Sequence, residues 1–199
     1  MKNIPYILIA IRFLLAPIIV LLSYLNGAES RFIILALMYI GLFTDIFDGI
    51  IARKAGVSSE KLRRLDSQVD LLFWLSLGFV AYFLNPALIK DEWQNILLIF
   101  IMEALCYMIS WIKFGKETCT HAWLSKLWGL SLLLAFTFLI GFQQIGWTFY
   151  LTIALGFISH LDVILIILIL PKWTYDVPSF YHAWKIRNGI QRKKTTFFN

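Results

Sequence analysis

RFIILALMYIGLFTDIFDGIIARKAGVSSEKLRRLDSQVDLLFWLSLGFVAYFLNP, residues 31–86, reads as two apolar runs joined by a charged segment. The runs cover about 31–51 and 66–86, each near the roughly 20 residues that a helix needs to cross a bilayer. Arg53, Lys54, Lys61, Arg63 and Arg64 lie in the segment 53–64 between them. Asp45 and Asp48 close the first run, and Asp66 and Asp70 open the second. Carboxylates at the edge of a span are costly, so a cluster of them marks a functional site by default.

The rest of the chain follows the same pattern. Further runs lie at about 4–25, 93–113, 124–143 and 147–170, and Pro171 closes the last, because proline cannot continue a helical ladder. The 199 residues are 60% hydrophobic with a mean hydropathy of +0.76, where soluble domains sit near roughly 45–50% apolar. This composition excludes a soluble globular enzyme. It predicts an all-α, polytopic integral membrane protein with six transmembrane helices over residues 1–171 and a basic cytoplasmic tail over 172–199. The first run is long and no small-residue cleavage site follows it, so no cleavable signal is expected. Cys106 and Cys119 make no metal-type cluster, and Cys106 is expected to pack as a small apolar residue.

Lysine and arginine set the orientation. Lys2, the 53–64 cations, Lys113, Lys116 and the tail from Lys172 to Lys194 fall on one side, against Arg31 and Lys90 on the other. The positive-inside rule then puts both termini and the four aspartates on the cytoplasmic face of the cell (inner) membrane. Trp93 and Trp147 fall at outer ends of spans, and Trp111 and Trp173 at inner ends, as an aromatic belt requires. The tail, with Trp184, Lys185, Arg187, Arg192, Lys193 and Lys194, reads either as a solvated end or as a surface lying on anionic headgroups.

Helical spacing turns the acids into a site. Positions 45, 48, 49 and 52 share one helix face, and 62, 66 and 70 share another. Two such faces turned together gather four carboxylates, which must then take up protons or bind cations. An all-oxygen cluster favours a hard ion, Mg²⁺ or Mn²⁺. Gly49 and Ala52 carry no bulky side chain, and Arg53 offers a fork for phosphate oxygens. Together these features are a plan for metal-dependent transfer of a substituted phosphoryl group. Solvation at the boundary explains one aspartate near a span end, but poorly explains four at this spacing.

The run D45-x-x-D48-G49-x-x-A52-R53, then eight residues, Leu62, and D66-x-x-x-D70 resembles the signature of the CDP-alcohol phosphatidyltransferase family. That signature has glycine where this chain has Leu62. The family's PNxxTxxR-like first helix is matched only at Pro5 and Arg12, with Tyr6 and Ile9 at its polar positions. The resemblance implies phospholipid synthesis, in which a phosphatidyl group passes from a CDP-linked lipid to a small or lipid alcohol with release of CMP. It implies that Asp45, Asp48 and Asp66, with help from Asp70, hold two divalent ions, and that Asp70 is the catalytic base. Gly49, Ala52 and Arg53 would lie against the nucleotide and its diphosphate. It also implies a homodimer among membrane lipids, with no nucleic acid as partner.

The acceptor is less sharply written. Lys126, near the start of the fifth run, resembles a lysine that some glycerophosphate-using members carry there, and His121 lies in the same stretch. They are candidate acceptor-binding residues, with snorkelling to the interface as the alternative for Lys126. With Lys113, Lys116 and the basic tail they favour glycerol 3-phosphate over serine, inositol or its phosphate, or phosphatidylglycerol. Glu103, His160 and Asp162 either line a wet cavity or hydrogen-bond between helices. Two other readings stay open. A cation- or proton-coupled transporter would show repeated halves and a midplane site, and neither is visible. An inactive nucleotide- or lipid-binding relative is suggested by Leu62 and Tyr6.

Overall fold

The computed structural model describes residues 3–57 and 59–190, all of whose regular structure is helical. In chain order the helices are α1 (Ile4–Asn26), α2 (Arg31–Lys54), α3 (Glu60–Leu84), α4 (Pro86–Asp91), α5 (Trp93–Phe114), α6 (Trp123–Phe136), α7 (Trp147–Ile169) and α8 (Phe180–Arg187). A 3₁₀ turn, Gly27–Ser30, joins α1 to α2, and a π turn, Thr137–Gly141, continues α6. Among the described residues, five helical segments are long and apolar enough to cross a membrane, the first being Ile4–Lys54. The chain is a multi-pass membrane protein.

The helices match the apolar runs within a few residues, except at the junction of α2 and α3. There the expected charged loop of 53–64 shrinks to residues 55–59. Two local features cause this. α2 ends in a Schellman arrangement: Gly56 takes φ 65°, its N–H reaches Arg53 O at 3.2 Å, and Val57 N–H reaches Ala52 O at 3.0 Å. Glycine carries no Cβ penalty in that left-handed position. Ser59 then caps α3, extended at φ −113° and ψ 160°, its Oγ accepting the Leu62 N–H at 3.2 Å, as N-cap serines do. Lys61, Arg63 and Arg64 therefore sit on α3, and Asp66 and Asp70 lie well inside a helix instead of at its fraying start.

The chain forms two compact units. The first takes residues up to Asp91 together with Leu133–Gly146. Its core interleaves Leu15, Ala16 and Ile19 of α1, Ile34, Leu35 and Met38 of α2, and Phe73, Leu77 and Val80 of α3. Asn85 Nδ2 ties this core to Leu139 O at 3.0 Å. Gly41 lies directly under the fully buried Phe73 ring, where any Cβ would collide with it. Gly41→Ala is therefore expected to destabilise the protein by about 1–3 kcal/mol, the usual cost of overpacking a filled core. Thermal unfolding in detergent checks this, and an unchanged midpoint would show that Phe73 can yield.

The second unit takes Glu92–Leu132 and the chain from Trp147 onward. Cys106, Val163 and Ile167 pack α5 against α7, with Cys106 buried as expected. Glu103 and His160 settle into the interhelical reading: Glu103 Oε2 lies 2.5 Å from His160 Nε2, and His160 Nδ1 lies 2.5 Å from Gly156 O. The contact joins α5 to α7 and gives both side chains a hydrogen-bond partner within the bundle. Beyond α7 the chain folds back. Pro178 O accepts the Trp123 N–H at 3.0 Å, and Val177 and Ala183 are fully buried. Lys2, Arg192, Lys193 and Lys194 lie outside the described residues.

Candidate active site

Within the first unit, α1 packs along both α2 and α3. The tight α2–α3 link puts Asp45 and Asp48 across from Asp66 and Asp70, and α1 inserts Arg12 among them. The guanidinium meets all four acids. Nη1 lies 2.6 Å from Asp45 Oδ1 and also bonds Asp70, while Nη2 lies 3.1 Å from Asp66 Oδ1 and also bonds Asp48. The structure thus brings together all four aspartates singled out by spacing.

The acids are not equivalent. The side chains of Asp48 and Asp66 are 3% and 5% exposed, whereas those of Asp45 and Asp70 are 36% and 27% exposed. Asp45, Asp48 and Asp66 each offer an oxygen within 4.8 Å of the others, and Asp70 is not part of that group. Two acids are sealed, and two are partly exposed.

Arg12 itself is buried, and its Nε has no hydrogen-bond partner. In the sequence Arg12 stands out only through the resemblance of the first helix to the family's PNxxTxxR-like segment. Its signal was nonetheless present, because a lone arginine in an apolar span demands a partner at that depth. Arg63 is the second residue that the spacing argument did not use for the site. It is buried, with Nη1 3.8 Å from Asp66 Oδ2, and its position three residues before Asp66 was the available clue.

Arg53 and Arg63 share one patch. A Cβ on Gly49 would lie 3.4 Å from Arg53 Nη1 and 3.9 Å from Arg63 Nη1. Gly49 is buried and its missing side chain lets the exposed Arg53 and the buried Arg63 come close to the α2 backbone, and guanidiniums suit phosphate oxygens. Ala52 differs from its neighbour. It is buried with Ile9, Leu62 and Val69 in an apolar cluster, with Val57 packed against it. Two of the three departures from the family pattern, Ile9 and Leu62, belong to that one cluster, while Tyr6 is exposed. Leu62 fills the room that a glycine would leave open.

The acceptor candidates lie in the second unit. Lys126 is exposed on the first turn of α6. His121 precedes α6 in a left-handed conformation, φ 46°, with Nε2 3.4 Å from Cys119 Sγ. The aspartates, Gly49, Ala52 and Arg53 belong to the first unit.

The donor set fits a hard dication. All the converging ligands are carboxylate oxygens, the type that Mg²⁺ and Mn²⁺ prefer. Four carboxyl groups converge beside Arg12 and Arg63 at a largely buried position; ionising all four would leave an excess of negative charge there, which an additional cation would relieve.

A family model described as CDP-alcohol phosphatidyltransferase matches residues 2–170. The chain is 29% identical over 140 residues to a CDP-diacylglycerol–glycerol-3-phosphate 3-phosphatidyltransferase of Rickettsia typhi, covering 67% of this chain and 77% of that protein. It is 28% identical over 139 residues to the protein of that name in Rickettsia prowazekii, covering 67% and 75%. The protein of that name in Rickettsia bellii is 28% identical over 124 residues, 61% of this chain and 67% of its own. No solved structure matches the chain.

Proposed function

The chain belongs to the CDP-alcohol phosphatidyltransferase family, and from that premise we propose that it moves the phosphatidyl group of CDP-diacylglycerol onto glycerol 3-phosphate, releasing CMP. The observation that carries the reading is the meeting of Asp45, Asp48, Asp66 and Asp70 around one buried point. The names of the Rickettsia relatives support the acceptor.

Asp45, Asp48 and Asp66, with Asp70 beside them, would hold two Mg²⁺ or Mn²⁺ ions. When bound, such ions neutralise the diphosphate and ease departure of CMP. The remaining work falls to side chains. Arg53 and Arg63, beside Gly49, hold phosphate oxygens and orient the diphosphate. Asp70 suits the role of base because it is partly exposed and stands outside the three converging oxygens. Its carboxylate accepts the proton of the acceptor hydroxyl. The hydroxyl oxygen then bonds to the lipid-bearing phosphorus as the bond from that phosphorus to the CMP oxygen breaks. Lys126 and His121 would meet the phosphate of the acceptor.

We take Ile4–Lys54 as two crossings, which makes six in all. As one helix its 51 residues would reach roughly 75 Å, far beyond a hydrocarbon core of about 30 Å, and a four-residue turn divides it. Lysine and arginine bias supports cytoplasmic termini, a cytoplasmic-side site and the cell (inner) membrane as location. It also supports the division into a membrane domain, 1–171, and a basic tail, 172–199. Family resemblance supports a homodimer.

The test is purified protein with labelled CDP-diacylglycerol, Mg²⁺ and a panel of glycerol 3-phosphate, serine, inositol, inositol phosphate and phosphatidylglycerol. CMP release that depends on glycerol 3-phosphate is expected. Release with another alcohol alone would reassign the acceptor, and none with any alcohol would favour an inactive relative.

A further inference from the structure

α8 carries two opposed faces. At 100° per residue, Phe180, Trp184 and Tyr181 fall within an arc of about 100°, with Arg187 and Lys185 on either side of it. Each of the three aromatics is about half exposed, at 50%, 49% and 50%. Tyr181 and Trp184 stack at 6.2 Å, and Lys185 Nζ lies 4.5 Å from the Tyr181 ring centre. The opposite face, Ala183 and Ile186, packs against Ala122, Ile166, Leu170 and Val177.

That inner packing sets the level of the helix. Ile166 and Leu170 mark the last turn and the exit of α7, and Ala122 immediately precedes α6. Asp162 of α7 also holds the first turn of α8, its Oδ1 accepting the Phe180 N–H at 3.0 Å. α8 is therefore fastened at the rim of a membrane-spanning helix, where apolar interior gives way to headgroups. The rim is basic. Lys113 Nζ donates to Ile167 O and Leu168 O at 2.9 and 2.7 Å, and the described residues 172–190 hold Lys172, Lys185 and Arg187 against the single acid Asp176.

We propose that α8 is an interfacial helix whose aromatic face, flanked by Lys185 and Arg187, docks on the anionic headgroup layer of the bilayer. Exposed aromatics with polar edges partition to that layer. Each nearby cation adds about fivefold to binding of an anionic surface. The docking does not depend on the catalytic reading, since an inactive chain would show it equally.

A polarity-sensitive fluorophore on Phe180→Cys reports it, because Cys106 and Cys119 are buried and shielded from labelling. The labelled full chain is reconstituted in vesicles of phosphatidylcholine alone, or with one third phosphatidylglycerol. Blue-shifted emission and several-fold lower iodide quenching are expected in the anionic vesicles. Lys185→Gln with Arg187→Gln should remove most of that difference. Salt at 1 M should do the same without any substitution, since it shortens screening to about 3 Å, which keeps the test sound if the double variant fails to reconstitute. Equal emission in both vesicle types, or a difference that survives both the double variant and salt, would overturn the proposal.

Discussion

Asp70→Asn is expected to slow CMP release by about a thousandfold, within the usual 10²–10⁴ contribution of a general base, while leaving the fold intact. Asparagine keeps the shape of the side chain and a carbonyl oxygen that can accept from Arg12, so the ring of contacts around the guanidinium survives. It cannot take a proton from the acceptor hydroxyl. Asp48→Asn should behave differently, because Asp48 is sealed and belongs to the three converging oxygens, and its loss should weaken divalent-ion binding itself. Single-turnover CMP release, read beside a Mn²⁺ binding isotherm, separates the two. Full release by Asp70→Asn would show that another group is the base.

The spans were legible because long apolar runs admit one solution in a membrane, a helix that satisfies its own backbone. The four aspartates were legible because period 3.6 aligns 45 with 48 and 66 with 70 whatever surrounds them. What the runs concealed was the α2–α3 junction. Hydropathy sees Lys61, Arg63 and Arg64 as loop, whereas backbone hydrogen bonding sees Gly56 as a stop and Ser59 as a start. The charged residues between 60 and 64 gain helix because their capping is local and strong.

The site was legible in its acids and obscure in its cations. Arg12 comes from a helix more than thirty residues from the nearest acid, so periodicity within α2 and α3 could not reach it. Ile9 and Leu62 read as two separate losses along the sequence, yet they share one buried cluster with Ala52 and Val69. Packing explains their coexistence. A leucine in place of glycine needs an apolar neighbour to cover it, and isoleucine in place of threonine supplies one without leaving a hydroxyl unpartnered. The cluster lies on α1, α2 and α3, the same three helices that carry the acids, so it changes the wall beside the site while the ligands stay in place.

Arg12→Met should expose how strongly those acids depend on a cation. Methionine is unbranched and fills much of the arginine stem, so packing loss is small and charge is the main change. Breaking a buried ion pair from one side typically costs about 3–5 kcal/mol, because the remaining charge stays buried without compensation. Here four carboxylates would lose the one guanidinium that touches them all. The variant in EDTA should therefore unfold at a much lower temperature than the parent chain. Mg²⁺ or Mn²⁺ should restore most of the difference, since a cation that binds only the folded cluster stabilises it by mass action. Arg12→Lys should fall between, because one ammonium is a point charge and cannot fork among four carboxylates. Thermal unfolding of the three proteins, with EDTA and with Mn²⁺, decides the matter. Equal midpoints in EDTA would mean that the acids are neutralised without Arg12. A deficit that Mn²⁺ leaves untouched would mean that Arg12 serves packing and that the carboxylates do not converge on an ion.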